Sequence, residues 1–127
     1  MLAAAPVVAF LATVDAERAK RFFTECLGFA LIEDGPYALV FSAGGTMLRV
    51  QRVAAFEPHP FTALGWQVTD IRRTVADLAA NGIAFMRVTA LDQDAAGIWW
   101  TPNGDGVAWF HDPDGNTLSL TQFAAQR

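Results

Sequence analysis

"TALGWQVTDIRRTVADLAANG", residues 62–82, repeats in outline what "VVAFLATVDAERAKRFFTECLG", residues 7–28, has already spelled out. Each stretch opens on an apolar run of strand character, reaches an aspartate, and continues at helical spacing. After Asp15, the residues Ala19, Phe22, Phe23, Cys26 and Leu27 share one helix face. After Asp70, Ile71, Val75 and Leu78 do the same, and Gly82 stands where a helix C-cap belongs. An aspartate at such a boundary accepts from the orphan N–H groups of the first turn, so both are read as helix caps. The offset between them is 55 residues, and the flanking strands "VVAFLATVD" (7–15) and "TALGWQVTD" (62–70) fall into line with it.

The order continues in parallel. Past each helix the pattern predicts a short strand, near 29–33 and near 83–88, and then a strand pair. The first pair is "YALVFS" with "TMLRVQRV", joined by "AGG"; the second is "GVAWFHD" with "TLSLTQF", joined by "DPDGN". Both joints have the Gly, Asn and Asp chemistry that tight hairpins require. A β-α-β-β-β unit therefore occurs twice, as module 1 (about 6–53), a linker "AAFEPHP" (54–60) and module 2 (about 61–123). Neither copy alone can bury its sheet face, so the 127 residues read as one α+β domain built by repetition.

Composition narrows the functional classes. Hydrophobic residues make up 53% of the chain, enough for a real core, and ten Phe, four Trp and one Tyr suit dense packing or an apolar pocket. The net charge is −4 and the nine basic residues are scattered, which argues against nucleic acid, whose phosphates need a clustered basic face. One cysteine, Cys26, excludes an internal disulfide and fits a reducing compartment; on an apolar helix face it reads as a small buried hydrophobe. The opening "MLAAAPVVAFLATV" lacks a basic leader, is interrupted by Pro6 and is too short to span a bilayer, so it is read as a first strand. The expected setting is cytoplasmic, without a membrane partner.

Three segments carry a resemblance to a known family: "D…RFFTECLGF" (15–29), "VTDI…VADLAANGI" (68–83) and "WFHDPDGNTLSL" (109–120). Together, from about Val7 to Phe123, they resemble the vicinal oxygen chelate superfamily, which includes glyoxalase I, extradiol dioxygenases and the bleomycin- and fosfomycin-resistance proteins. "DPDGN" after an aromatic strand is the most specific of these features. The resemblance implies a curled mixed sheet around a cavity with helices outside, and a homodimer.

Strand alternation assigns faces independently of the family. Leu48 and Val50, Leu118 and Leu120, and Leu64, Trp66 and Val68 should pack under the helices. Met47, Arg49 and Gln51, Thr117, Ser119 and Thr121, and Ala63, Gly65 and Gln67 are left for the cavity or solvent. The strand 7–14 is apolar on both faces, and the 55-residue offset places Val8, Phe10 and Ala12 with the second group.

The metal enzymes of the superfamily draw His, Glu or Gln ligands from four strands. The resemblance transfers these positions to Val8, Arg49, Ala63 and Ser119. Two have no donor atom, one is permanently cationic, and one offers only a neutral hydroxyl, so no metal and no other cofactor is expected there. The remaining donors are His59, His111, Gln51, Gln67, Glu33 and Glu57. His59, between two prolines of the linker, reads as an exposed ring, and His111 as a surface or turn residue. No catalytic residue is assigned.

What remains is a set of binding residues. Arg49, if it faces inward, needs a carboxylate or phosphate partner, from the protein or from a ligand. The stretch "GIWWTPNGDGVAW" (97–109) holds three tryptophans, and an extended chain would send Trp99 and Trp100 to opposite faces. Phe10, Tyr37, Phe41 and Trp109 could add aromatic walls. The leading expectation is metal-independent binding or sequestration of a small organic molecule, with Phe10, Arg49, Gln67, Trp99, Trp100, Trp109 and Ser119 as the ligand-binding set. Two rivals stand beside it: a metal-dependent lyase, isomerase or dioxygenase with relocated ligands such as His111 and Gln67, and a dimerisation module with no ligand.

Overall fold

Thr13 and Asp15 turn the first strand into the first helix. The buried Thr13 hydroxyl bridges the backbone N–H and carbonyl of Asp15 at 3.1 Å each, and Asp15 Oδ1 accepts the Arg18 N–H, also at 3.1 Å. The expected cap is in place. In the computed structural model, which describes residues 1–125, this junction lies in the first of two compact units, Met1–Glu57; the second begins at Pro58, within the linker stretch.

The first unit runs β1 (Val8–Thr13), α1 (Ala16–Arg21), β2 (Ala30–Asp34), β3 (Ala38–Ala43) and β4 (Thr46–Arg52). Its sheet has the order β1-β4-β3-β2, with β1 and β4 parallel and the other pairs antiparallel. α1 runs on into a π-helical turn, Phe22–Cys26, where the Leu27 N–H reaches back to the Phe22 carbonyl at 3.2 Å. Both consecutive phenylalanines of that wider turn are buried, and Phe23 packs on Phe41 at 5.3 Å between ring centroids. Gly44 and Gly45, at φ 63° and 85°, make the two-residue turn between β3 and β4 that the "AGG" stretch predicts. Lys20 of α1 pairs with Asp34 of β2 at 2.8 Å, and Asp34 also receives Arg52 of β4.

The second unit runs β5 (Thr62–Gln67), α2 (Ile71–Ala80), β6 (Trp99–Trp100), β7 (Gly106–His111) and β8 (Thr117–Gln122), and its sheet order, β5-β8-β7-β6, repeats that of the first. Asp70 Oδ1 accepts the Arg73 N–H at 3.2 Å. The helix ends in a Schellman motif: the Ile83 N–H reaches the Leu78 carbonyl and the Gly82 N–H that of Ala79, with Gly82 at φ 94°.

One expected strand is absent. Residues 83–88 make only an isolated bridge, Phe85 to Phe110, and the strand role passes to the two-residue β6. The reason lies in Gln93. Its amide accepts the Val88 N–H at 2.6 Å and donates to the carbonyls of Met86 (3.0 Å) and Gly97 (2.8 Å). Backbone groups that a sheet ladder would use are thus taken by a side chain.

Each sheet has a covered face and an open one, largely as alternation predicts, although Thr117 and Ser119, assigned to the open face, are buried. Leu48, Val50, Leu118 and Leu120 are buried, whereas Val8, Phe10, Met47, Ala63, Gly65 and Gln67 are exposed. No helix among the described residues is long and apolar enough to cross a membrane.

Candidate functional site

On the open face of the second unit, side chains line up in rows fixed by strand register. One row runs Trp99, Val107, Thr121, Gln67; the next holds Trp109, Ser119 and Gly65. The rings of Trp99 and Trp109 stack across these rows, 6.3 Å between centroids and 24° between planes. The Trp109 indole N–H donates to Thr62 Oγ1 at 3.2 Å, which fixes the ring plane. Beside it lies a groove of about 270 Å³, lined among others by Phe61, Thr62, Met86, Val88, Leu91 and Trp109. Half-buried aromatic walls with few polar anchors are what a flat or apolar ligand needs.

Gly65 has a specific job in this face. A Cβ there would lie 2.5 Å from Ser119 Oγ, so the missing side chain leaves room for the serine hydroxyl. Ser119 is accordingly buried.

The two adjacent tryptophans do point to opposite faces. Trp100 lies on the helix side, against Gly106 and below Arg72, whose guanidinium sits 4.8 Å from the ring centroid. Its indole N–H donates to Asp94 Oδ2 at 3.4 Å. Of the expected binding residues in this unit, the fold brings together Gln67, Trp99, Trp109 and Ser119 and sets Trp100 apart from them.

In the first unit, Phe10 and Arg49 are direct register partners on the open face. Arg49 is half-buried, and its side chain makes no ion pair or hydrogen bond among the described residues. Of the two aromatic walls also considered, Phe41 is buried core on the covered face and Tyr37 is exposed in the bend before β3.

Divalent metal, which the fold family implies, finds a poor fit at the four transferred positions. In the first unit these are Val8 and Arg49, a methyl pair and a cation. In the second they are Ala63, the unpaired residue of a bulge between Thr62 and Leu64, and the sequestered hydroxyl of Ser119. Nor does the second unit gather the relocated pair. His111 pairs with Thr117 and Gln67 with Thr121, which puts them roughly 13 Å apart along the strand direction. His59 is exposed, its ring stacked on Phe61 at 5.0 Å. Among the described residues no group of three or more His, Cys, Asp and Glu side chains could hold a metal ion.

The groove residues Phe61, Met86, Val88 and Leu91, and the anchor Thr62, escaped the sequence reading. Most of them stand on irregular backbone, where neither period marks a facing side chain. Only the unusual polar density of "DQDAAG" (92–97) hints that this loop is knotted rather than loose.

Comparison with known proteins agrees with this architecture. Residues 5–120 match the Glyoxalase/Bleomycin resistance protein/Dioxygenase superfamily, and the chain belongs to that family. No curated protein matches the sequence. Among solved structures, a glyoxalase family protein from Enterococcus faecalis is 22% identical with a TM-score of 0.73, over 95% of this chain and 99% of that one. A lactoylglutathione lyase from Agrobacterium tumefaciens is 18% identical with a TM-score of 0.71, over 94% and 93%. A fosfomycin resistance protein from Listeria monocytogenes is 11% identical with a TM-score of 0.72, also over 94% and 93%. At these identities the likeness is one of fold, and a fold hosts many chemistries.

Proposed function

We propose that this member of the superfamily binds a small organic molecule without a metal, sequestering or carrying it on the aromatic open face of its second unit. The observation that carries the reading is the groove beside Trp109, whose ring is held in plane by Thr62 and backed by Trp99. Gln67 on the same face is the polar anchor, the Ser119 hydroxyl being tucked against Gly65, and Phe10 and Arg49 lie on the open face of the other unit. Sequestration needs complementarity and affinity only, so the donor-poor positions Val8, Arg49, Ala63 and Ser119 are no obstacle to it. The protein works, in this reading, in the cytoplasm as a homodimer.

Native mass spectrometry of untagged protein, prepared without chelators, tests this directly. The expected spectrum shows a metal-free dimer carrying an organic adduct, and the adduct is lost or bound at least about tenfold more weakly in Trp109→Ala, as removal of an aromatic contact worth about 1.4 kcal/mol would require. One tightly held metal ion per chain would overturn the proposal in favour of a metal-dependent lyase, isomerase or dioxygenase.

A further inference from the structure

Arg49 stands in a row that crosses the open face of the first sheet: Glu33, Val40, Arg49, Phe10. Directly paired residues in such a row have Cβ atoms about 5 Å apart. Val40 is therefore in contact range of Arg49, and Val40 also lines a groove of about 270 Å³ together with Ile32, Ser42, Thr46 and Met47. The groove is apolar; Ile32 and Met47 on its walls are 63% and 45% exposed. It lies wholly within the first unit.

Arg49 does not line the groove itself but is the register partner of Val40, which does, and a guanidinium so placed has a definite chemical preference. It is a cation, it offers two parallel N–H donors, and its weak hydration lets it lie against hydrocarbon. The acidic group nearest in the row does not claim it. Glu33 makes no ion pair with Arg49, and its carboxylate folds back toward the bend at Gly35, with Oε2 2.7 Å from where a Cβ of that glycine would sit.

We propose that this groove is a site for an organic monoanion, with the anionic head on Arg49 and an apolar body along Val40, Ile32 and Met47. The occupant is a carboxylate with an aliphatic or flat hydrocarbon part. This goes beyond the aromatic face of the second unit and uses none of its residues.

The probe pair is octanoate and octanamide, equal in length and differing in charge, titrated into the full chain by NMR. Octanoate is expected to shift the Arg49 Nε–H resonance and the Val40 and Met47 methyl resonances saturably, and to bind at least tenfold more tightly than octanamide. Arg49→Gln should equalise the two, Arg49→Lys should restore part of the preference, and Glu33→Gln should leave octanoate binding unchanged or tighter. Equal binding of both probes to the wild type, which needs no variant to fold, overturns the proposal; so does a preference that survives in R49Q. Absence of any shift at these resonances overturns it as well, and a dimer that Met47→Glu dissociates would then assign the face to a second copy of the chain. None of these failures touches the adduct at Trp109, which is tested separately.

Discussion

Gly106 decides where Trp100 can go. A Cβ at this position would meet Trp100 Cζ3 at 2.8 Å and Ile71 Cγ2 at 3.1 Å. Both neighbours belong to rigid, packed groups, so the space cannot be cleared by a rotating chain end. Gly106→Ala is expected to cost about 1–3 kcal/mol, the usual penalty for overpacking, as read by urea denaturation. A cost near zero would mean that Trp100 leaves the helix-covered face readily. The composition of "WW" announced opposite faces for the pair, because successive residues of a strand must alternate. Which tryptophan went where was not legible, since it depends on a glycine six residues later and a helix residue almost thirty earlier.

The segment between α2 and β6 is an element without a regular period, and Asp94 holds it. Its Oδ1 accepts the N–H groups of Ala96 at 3.0 Å and Ile98 at 2.9 Å, and its Oδ2 faces the Trp100 indole and, at 3.9 Å, Arg72. Arg87 clamps the same turn by donating to the Asp94 and Ala95 carbonyls at 2.6 Å each. Burial opposes the charge of Asp94, but the Ile98, Trp100 and Ala96 donors and Arg72 outweigh it and hold the carboxyl below its usual value. A depressed carboxylate stabilises the fold above its unfolded pKa and loses that effect as pH falls. Asp94→Ala should therefore cost about 1–3 kcal/mol at neutral pH, because it strands the buried Ile98 N–H. The part of that gap due to charge should fade as pH drops below about 4, measured by denaturation at a series of pH values.

Asp112, in the "DPDGN" turn, has the opposite sign. Burial is the main cause and raises its pKa, despite the N–H donors of Asn116 and Asp114. Stability from that group is fullest at low pH and is lost as pH rises through its folded value. The two turns also differ in how far they could be read beforehand. "DPDGN" and "AGG" carry their geometry in local turn chemistry, and the capped helices carry theirs in period and boundary residues. The 84–98 loop does not, because a glutamine amide and an aspartate replace a ladder, and only the polar density of "DQDAAG" (92–97) hints at it.

At the scale of the whole molecule, the chain belongs to the Glyoxalase/Bleomycin resistance protein/Dioxygenase superfamily, and the metal-free reading proposed above predicts indifference to divalent cations. A ligand that binds only the folded state at a hundred times its Kd adds about 2.7 kcal/mol to stability. Zinc or nickel at 100 μM, and equally EDTA, should leave the melting temperature unchanged. A rise of several degrees with either ion would reveal a donor set that register alone does not assemble. The repeat that makes this comparison possible was fully present in the sequence as the 55-residue offset. It reappears as matched register: Phe10 beside Arg49 in one sheet, Gly65 beside Ser119 in the other.

That register has a consequence for how the chain is born. In each unit the first strand pairs with the last, in parallel, so neither sheet can close until its final strand has been made. A nascent chain emerging from the ribosome would hold β1 unpaired until β4 follows, and β5 unpaired until β8 arrives. Closure over such spans makes long-range pairing slow and leaves strand edges bare meanwhile. The first unit has all its strands by Arg52 and can settle before the second begins. The second waits longer, because the stretch between β5 and β8 (68–116) is longer than that between β1 and β4 (14–45). Synthesis rate and chaperone access should therefore bear on the second half of this protein more than on the first.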